Sequence, residues 1–153
     1  MNNLGFTLAQ AVPNSRMKSN NQPSTPAARI QEARLSKGML IKDLANLIGI
    51  SHVALSKLEN CQTKPKLSTL RLLSQALDVS IAYLGCFETL PEYSFGQRLK
   101  KARLYYGMTH HEMAETLGVN EKSVRLWQDG LVKPSSEHME KLEAYLAILK
   151  VGD

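Results

Sequence analysis

Hydrophobic positions in the first half of the chain recur at three- and four-residue spacing, the period of a buried helix face. From Ala28, the run Ile30, Ala33, Arg34 and Leu35 leads to Gly38, a natural helix stop. A second helix is predicted from about Ile41 to Ile48 and a third from about His52 to Asn60, with Ser51 placed to cap it. Lys64 and Pro65 end a loop. A fourth helix follows from Thr69 to Leu77 through Leu70, Leu73, Ala76 and Leu77, and Ile81 to Leu84 suits a short fifth.

The same pattern returns 69 residues later. The shift maps Ile30–Leu77 onto Leu99–Leu146 without a gap. Ala33, Arg34, Leu35, Gly38 and Met39 recur as Ala102, Arg103, Leu104, Gly107 and Met108, and Lys64, Pro65, Leu73 and Leu77 as Lys133, Pro134, Leu142 and Leu146. Within each copy, Leu44, Ala45, Ile48, Gly49 and Ile50 match Met113, Ala114, Leu117, Gly118 and Val119. The small Ala lets a second helix approach closely, and the Gly takes a left-handed turn without a Cβ clash. Leu55 and Leu58, then Val124 and Trp127, continue the buried face. Two short helices joined by a tight turn account for these positions, so the pattern is that of a helix-turn-helix, present twice. In the second copy Thr109 and Glu112 form a capping box and Asn120 caps the following helix.

The chain outside the copies reads differently. Residues 1–27 are rich in Asn, Gln, Ser and Pro, with Pro13, Pro23 and Pro26 breaking any helix, and are expected to form a flexible tail. Two other roles for the tail stay open: a DNA-reaching arm through Arg16 and Lys18, or packing of Leu4–Val12 on a partner chain. Residues 85–95, with Pro91 and two acids, read as a linker. Fully extended, eleven residues span at most roughly 36–40 Å, about one turn of DNA between half-sites.

Composition narrows the class. In 153 residues, 43% hydrophobic and 22% charged content is that of an ordinary globular protein. No apolar run approaches the ~18 residues of a membrane span, and no signal peptide is legible. Cys61 and Cys86 have no metal-site spacing, which fits reduced thiols and a cytoplasmic protein, nucleoid-associated when bound to DNA. The net charge of +5 suits a polyanionic partner. That charge is uneven: residues 28–84 carry eight Lys/Arg against four Asp/Glu, giving +4, while 96–153 carry nine against eight, giving +1.

Both copies, RIQEARLSKGMLIKDLANLIGISHVALSKLENCQTKPKLSTLRLLSQALDVS and FGQRLKKARLYYGMTHHEMAETLGVNEKSVRLWQDGLVKPSSEHMEKL, resemble the phage-repressor (Cro/cI-like, or Xre-type) helix-turn-helix family. The resemblance implies an all-α fold: two tandem five-helix (or four- to five-helix) lambda-repressor-like domains, at 28–84 and 96–150. It implies that helices 52–60 and 121–129 enter the major groove of double-stranded DNA. The implied reading positions are Ser51, His52, Val53, Ser56 and Lys57, and in the second copy Asn120, Glu121, Lys122, Arg125 and Leu126. Lys57 can donate to guanine, His52 can donate to an acceptor, and Val53 suits a thymine methyl. Lys42, Asn60, Lys64 and Lys66 suit phosphates, as do His110, Lys133 and either Lys100 or Lys101. Arg34 and Glu59 stand where relatives join helix one to helix three by an ion pair. The second copy keeps Arg103 but carries Gln128, so a neutral hydrogen bond is expected there.

Departures from the family bear on single contacts. Ile41 and His110 stand where many members carry a phosphate-contacting Gln. Cys61 replaces the usual Gly after the recognition helix, so that cap is built differently or strained. Glu121 repels phosphate unless it accepts from cytosine or pairs with Arg125.

The expected function is a transcription regulator, with repression at an operator as the expected sign. An antitoxin or adaptor, whose second domain holds a protein partner, is the alternative; RNA binding is a weaker third reading. A homodimer also stays open. His110-His111-Glu112 lacks a third metal ligand, so neither metal nor cofactor is expected. Cys61 reads as a small buried or loop-filling residue before it reads as a redox switch. Trp127 reads as core rather than a stacking platform, and no catalytic motif appears, so an enzyme is not expected.

Overall fold

The computed structural model describes residues 22–151, and among these the regular structure is entirely helical. The readings placed on Arg16, Lys18 and Leu4–Val12 lie outside the described residues. Helix α1 spans Pro26–Ser36, α2 Ile41–Ile48, α3 His52–Glu59, α4 Leu67–Leu77 and α5 Ile81–Leu84. After a 3-10 turn at Phe87–Thr89 come α6 Phe95–Tyr105, α7 His110–Leu117, α8 Glu121–Gln128 and α9 Ser136–Leu146, then a 3-10 turn at Ala147–Lys150.

Pro26 begins α1 instead of breaking it. A proline at the first helical position loses only an N–H that has no intrahelical partner, and Thr25 Oγ1 caps the Ala28 N–H at 3.2 Å. The α2–α3 corner turns on Gly49, at φ 75°, after which Ser51 Oγ accepts from the Ala54 N–H at 3.1 Å. Gly118 (φ 68°) and the Asn120 cap on Ser123 (2.8 Å) build the α7–α8 corner in the same way. Thr109 and Glu112 make the expected reciprocal box, with Thr109 N–H donating to Glu112 at 2.7 Å.

Each half closes its own core. In the first, Ile30, Leu44, Leu55, Leu73 and Leu77 are fully buried, joined by Ile81 and Leu84. In the second, Leu99, Met113, Leu117, Val124, Trp127 and Leu142 pack together, so Trp127 is core. No helix among the described residues is long and apolar enough to cross a membrane.

The segment between the halves is folded, not extended. Cys86 takes φ 55° and the 3-10 turn follows at once. Ala82 of α5 packs with Ala102 and Tyr105 of α6 and with Leu146 and Ile148, forming a third apolar cluster shared by both halves. Polar contacts hold the same seam. Arg29 pairs with Glu88 and donates from Nη1 to the Tyr83 carbonyl at 2.7 Å, while Arg71 of α4 meets Glu112 of α7 at 2.6 Å. Lys101 is buried here, with Nζ donating to the Glu88 carbonyl at 3.0 Å and pairing with Glu92. It therefore cannot serve as the phosphate contact that its place in the sequence suggests. Lys100 is exposed.

Candidate nucleic-acid interface

Burial divides α3 into two faces. Leu55, Leu58 and Glu59 point inward, leaving His52, Val53, Ser56, Lys57 and Asn60 along the opposite i, i+3, i+4 stripe. Val53 is 49% exposed, so its methyl groups are free to meet a partner on this face. Asn60 Nδ2 donates to Ser56 Oγ at 3.2 Å, so these two steady each other, while Ser51 Oγ serves as the cap. His52 and Lys57 are exposed and make no side-chain hydrogen bond or ion pair among the described residues; the same holds for Lys42, Lys64 and Lys66. Three of the four acids of this half are engaged elsewhere, and the fourth, Asp78, stands at the end of α4. Glu32 accepts from Tyr83 Oη, Asp43 accepts from the Leu40 N–H, and Glu59 is buried. The result is an exposed strip of cations and donors with no carboxylate on the helix face.

The strip is mounted by the expected ion pair. Arg34 of α1 donates to Glu59 of α3 through Nε at 2.7 Å and Nη2 at 2.8 Å, and through Nη1 to the Met39 carbonyl at 2.7 Å. A forked, doubly bonded guanidinium fixes orientation as well as distance. After α3, Cys61 adopts φ 58°, and Gln62 and Thr63 N–H both return to the Lys57 carbonyl at 2.9 and 3.3 Å. Gly130, its equivalent, takes φ 71° without a Cβ. Cys61 is exposed, contrary to the buried reading; the left-handed corner turns its side chain outward.

The equivalent face in the second half is differently charged. Asn120 is held as a cap, Lys122 and Lys133 are exposed, and Leu126 is half-buried. Arg125 is paired to Glu121 through Nε at 3.1 Å and through Nη2, and this pairing holds the Glu121 carboxyl below its ordinary pKa. His111 stands 3.9 Å from Glu121. His110 is half-buried, its Nε2 3.1 Å from Gln128 Oε1. Burial, with the charges of Arg103 and Arg125, lowers its pKa, so it meets this surface as a neutral imidazole.

The hydrogen bond expected between Arg103 and Gln128 is not formed. Arg103 Nη1 donates to the Met108 carbonyl at 2.6 Å, as Arg34 does to Met39, but Arg103 Nε has no partner among the described residues. Gln128 gives its carbonyl oxygen to His110, and its Nε2 is also buried without a partner. Burial, followed by the repulsion of Arg125, pulls the Arg103 pKa down to about 10.

Sequence reasoning missed several residues that position these faces. Nothing in the spacing signals that Arg71 reaches Glu112 or that Lys101 turns into the seam. Gly96 does carry a signal, as a glycine in a helical first turn where the first copy has Ala27. A Cβ on it would lie 2.1 Å from the Gln128 carbonyl oxygen, so α6 reaches the end of α8 only through glycine here.

Residues 30–84, which run from α1 through α5, match a family model described as helix-turn-helix. The match supports DNA binding in transcription regulation for that half of the chain. Among curated proteins nothing matches the chain.

Proposed function

From a chain whose residues 30–84 form a helix-turn-helix unit, we propose a sequence-specific regulator of transcription that binds double-stranded DNA and acts as a repressor by occupying an operator. The observation that carries this reading is the outer face of α3, an exposed, acid-free stripe on a helix held rigidly from behind by Arg34 and Glu59. A helix fits the major groove, where His52, Val53, Ser56 and Lys57 meet base edges and Lys57 donates to guanine O6 or N7. Ser51, at the start of α3, joins the reading positions, and Asn60 ends the stripe beside the phosphates. Lys42, Lys64 and Lys66 neutralise phosphates, which fixes register without reading sequence. No cofactor enters this mechanism, and the protein works in the cytoplasm on nucleoid DNA.

The second half is a tandem helix-turn-helix module in this proposal, with α8 as its recognition helix. Asn120, Glu121, Lys122, Arg125 and Leu126 form its face, with His110 and Lys133 beside the backbone. The Glu121–Arg125 pair favours a second role for this module, docking a protein partner or a second copy of the chain, as in an antitoxin or adaptor. Before Arg125 reads DNA, Glu121 must release it or accept from cytosine.

Footprinting on DNA selected from a random pool separates these roles. Lys57→Ala and the double variant Lys122→Ala/Arg125→Ala are compared with the wild type. Loss of separate protected segments means that both modules read. Loss with Lys57→Ala alone assigns the second module to docking. Selection that enriches no sequence overturns the regulator reading.

A further inference from the structure

Between α6, the start of α7 and the end of α8 lies a cleft of about 390 Å³. Its wall includes Arg103 and Gln128, the two residues with unpartnered buried donor atoms among the described residues. Arg103 is only 5% exposed, and its one side-chain hydrogen bond among the described residues, from Nη1 to Met108, leaves the buried Nε without a partner. A guanidinium buried without a counter-charge is an unstable arrangement unless something acceptor-rich reaches it. His110 takes the carbonyl oxygen of Gln128 and so leaves the amide Nε2, a buried donor on a residue of the cleft wall, without a partner among the described residues.

The first half shows what belongs in this place. There the matching arginine, Arg34, holds the Glu59 carboxylate through Nε and Nη2 at 2.7 and 2.8 Å. In the second half Glu59 has become Gln128, while the arginine has stayed. The surroundings have changed in the same direction: Gln31 corresponds to Lys100, Ile41 to His110 and Ser56 to Arg125, all of them lining the cleft. One change runs the other way, since Asn60 corresponds to Asp129, an exposed acid. An internal anion has been deleted and donors added around the gap.

We propose that this cleft binds a phosphate-type oxyanion, which takes the place that the Glu59 carboxylate fills in the first half. Two oxygens meet the Arg103 fork, as a carboxylate would, and a tetrahedral anion offers further oxygens to Gln128 Nε2 and Lys100. The phosphate is either a free anion or a group of the DNA backbone, and the chemistry is the same. The site does not depend on DNA reading by α3.

The test uses the full chain without DNA, with inorganic phosphate against chloride at equal ionic strength. The expected result is a melting temperature that rises with phosphate and saturates, together with a shift of the Gln128 side-chain amide signal in NMR. Gln128→Glu restores the internal carboxylate. It is expected to raise the melting temperature in chloride and to lose the phosphate increment, and it avoids an Arg103 variant that fails to fold. No saturable difference from chloride, or the same increment in Gln128→Glu, overturns the proposal. Adding duplex DNA identifies the source. If phosphate still shifts the Gln128 amide with duplex bound, the anion is free; if duplex alone produces the shift and phosphate adds nothing, the occupant is the backbone. Lys57→Ala leaves the phosphate response intact, so failure here and failure of α3 to read DNA are separable.

Discussion

Glu59→Gln rebuilds in the first half the Arg–Gln combination that the second half carries, and its cost follows from the geometry. The wild-type pair is almost wholly withdrawn from water, with side-chain exposures of 7% for Arg34 and 2% for Glu59. Removing one partner of a buried ion pair costs about 3–5 kcal/mol, because the surviving charge is left uncompensated. Glutamine keeps one acceptor oxygen for Arg34 but presents an N–H₂ to the other nitrogen, so the loss falls near the lower end, about 3 kcal/mol. For a chain of this length that corresponds to a fall in melting temperature of roughly 6–12 °C. Urea unfolding of the full chain, with Arg34→Met and the double variant completing a cycle, isolates the coupling. A loss below about 1 kcal/mol, the scale of an exposed pair, refutes the argument that this bridge mounts α3 on α1.

Other consequences are separately testable. Cys61 holds φ 58° against a left-handed penalty of about 1–2 kcal/mol, so Cys61→Gly is expected to raise stability by about 0.5–1 kcal/mol after the flexibility of glycine is counted; denaturant midpoints check it. Gly96→Ala puts a methyl 2.1 Å from a backbone oxygen and is expected to cost about 1–3 kcal/mol by thermal unfolding. Burial pushes the Glu112 carboxyl upward, but the Thr109 N–H and Arg71 outweigh it and hold its pKa below the usual range. A depressed folded-state pKa gives stability that is present above the unfolded carboxylate value and lost as pH falls through the folded one. Glu112→Gln keeps the capping box and loses the ion pair, so it should cost roughly 0.5–1 kcal/mol at pH 7. That gap should close as the pH falls through the acid range, as unfolding curves at stepped pH would show.

Local chemistry made much of the fold legible. Gly49 and Gly118 had to turn left-handed, Ser51 and Asn120 had to cap, and the three-residue spacing of Leu55 with Leu58 and Val124 with Trp127 fixed the inner faces. The Arg34–Glu59 bridge came from resemblance to the repressor family and is present. What depended on side chains meeting across the seam was not legible. Lys101 looks like any surface lysine until Glu92 and the Glu88 carbonyl are placed around it. The segment at 85–95 reads as a linker because of its Pro and acids, and nothing in it signals that Ala82, Ala102 and Tyr105 draw the halves together. Pro26 reads as a helix breaker but starts α1, because a proline's effect depends on whether it stands inside a helix or at its first residue. The partner expected for Arg103 failed because Gln128 had a second candidate, His110, which Ile41 cannot offer in the first half.

In the proposed function the outer face of α3 reads bases. This is tested most directly by measuring affinity for a selected sequence and for a scrambled duplex, wild type against Lys57→Ala, at two or more salt concentrations. Lys57→Ala is expected to weaken specific binding by about 1–3 kcal/mol, to leave scrambled-duplex binding nearly unchanged and to keep the salt slope. Lys64→Ala should instead weaken both duplexes alike and reduce the slope by about one. Equal affinity of wild type and Lys57→Ala for the selected sequence would contradict the claim.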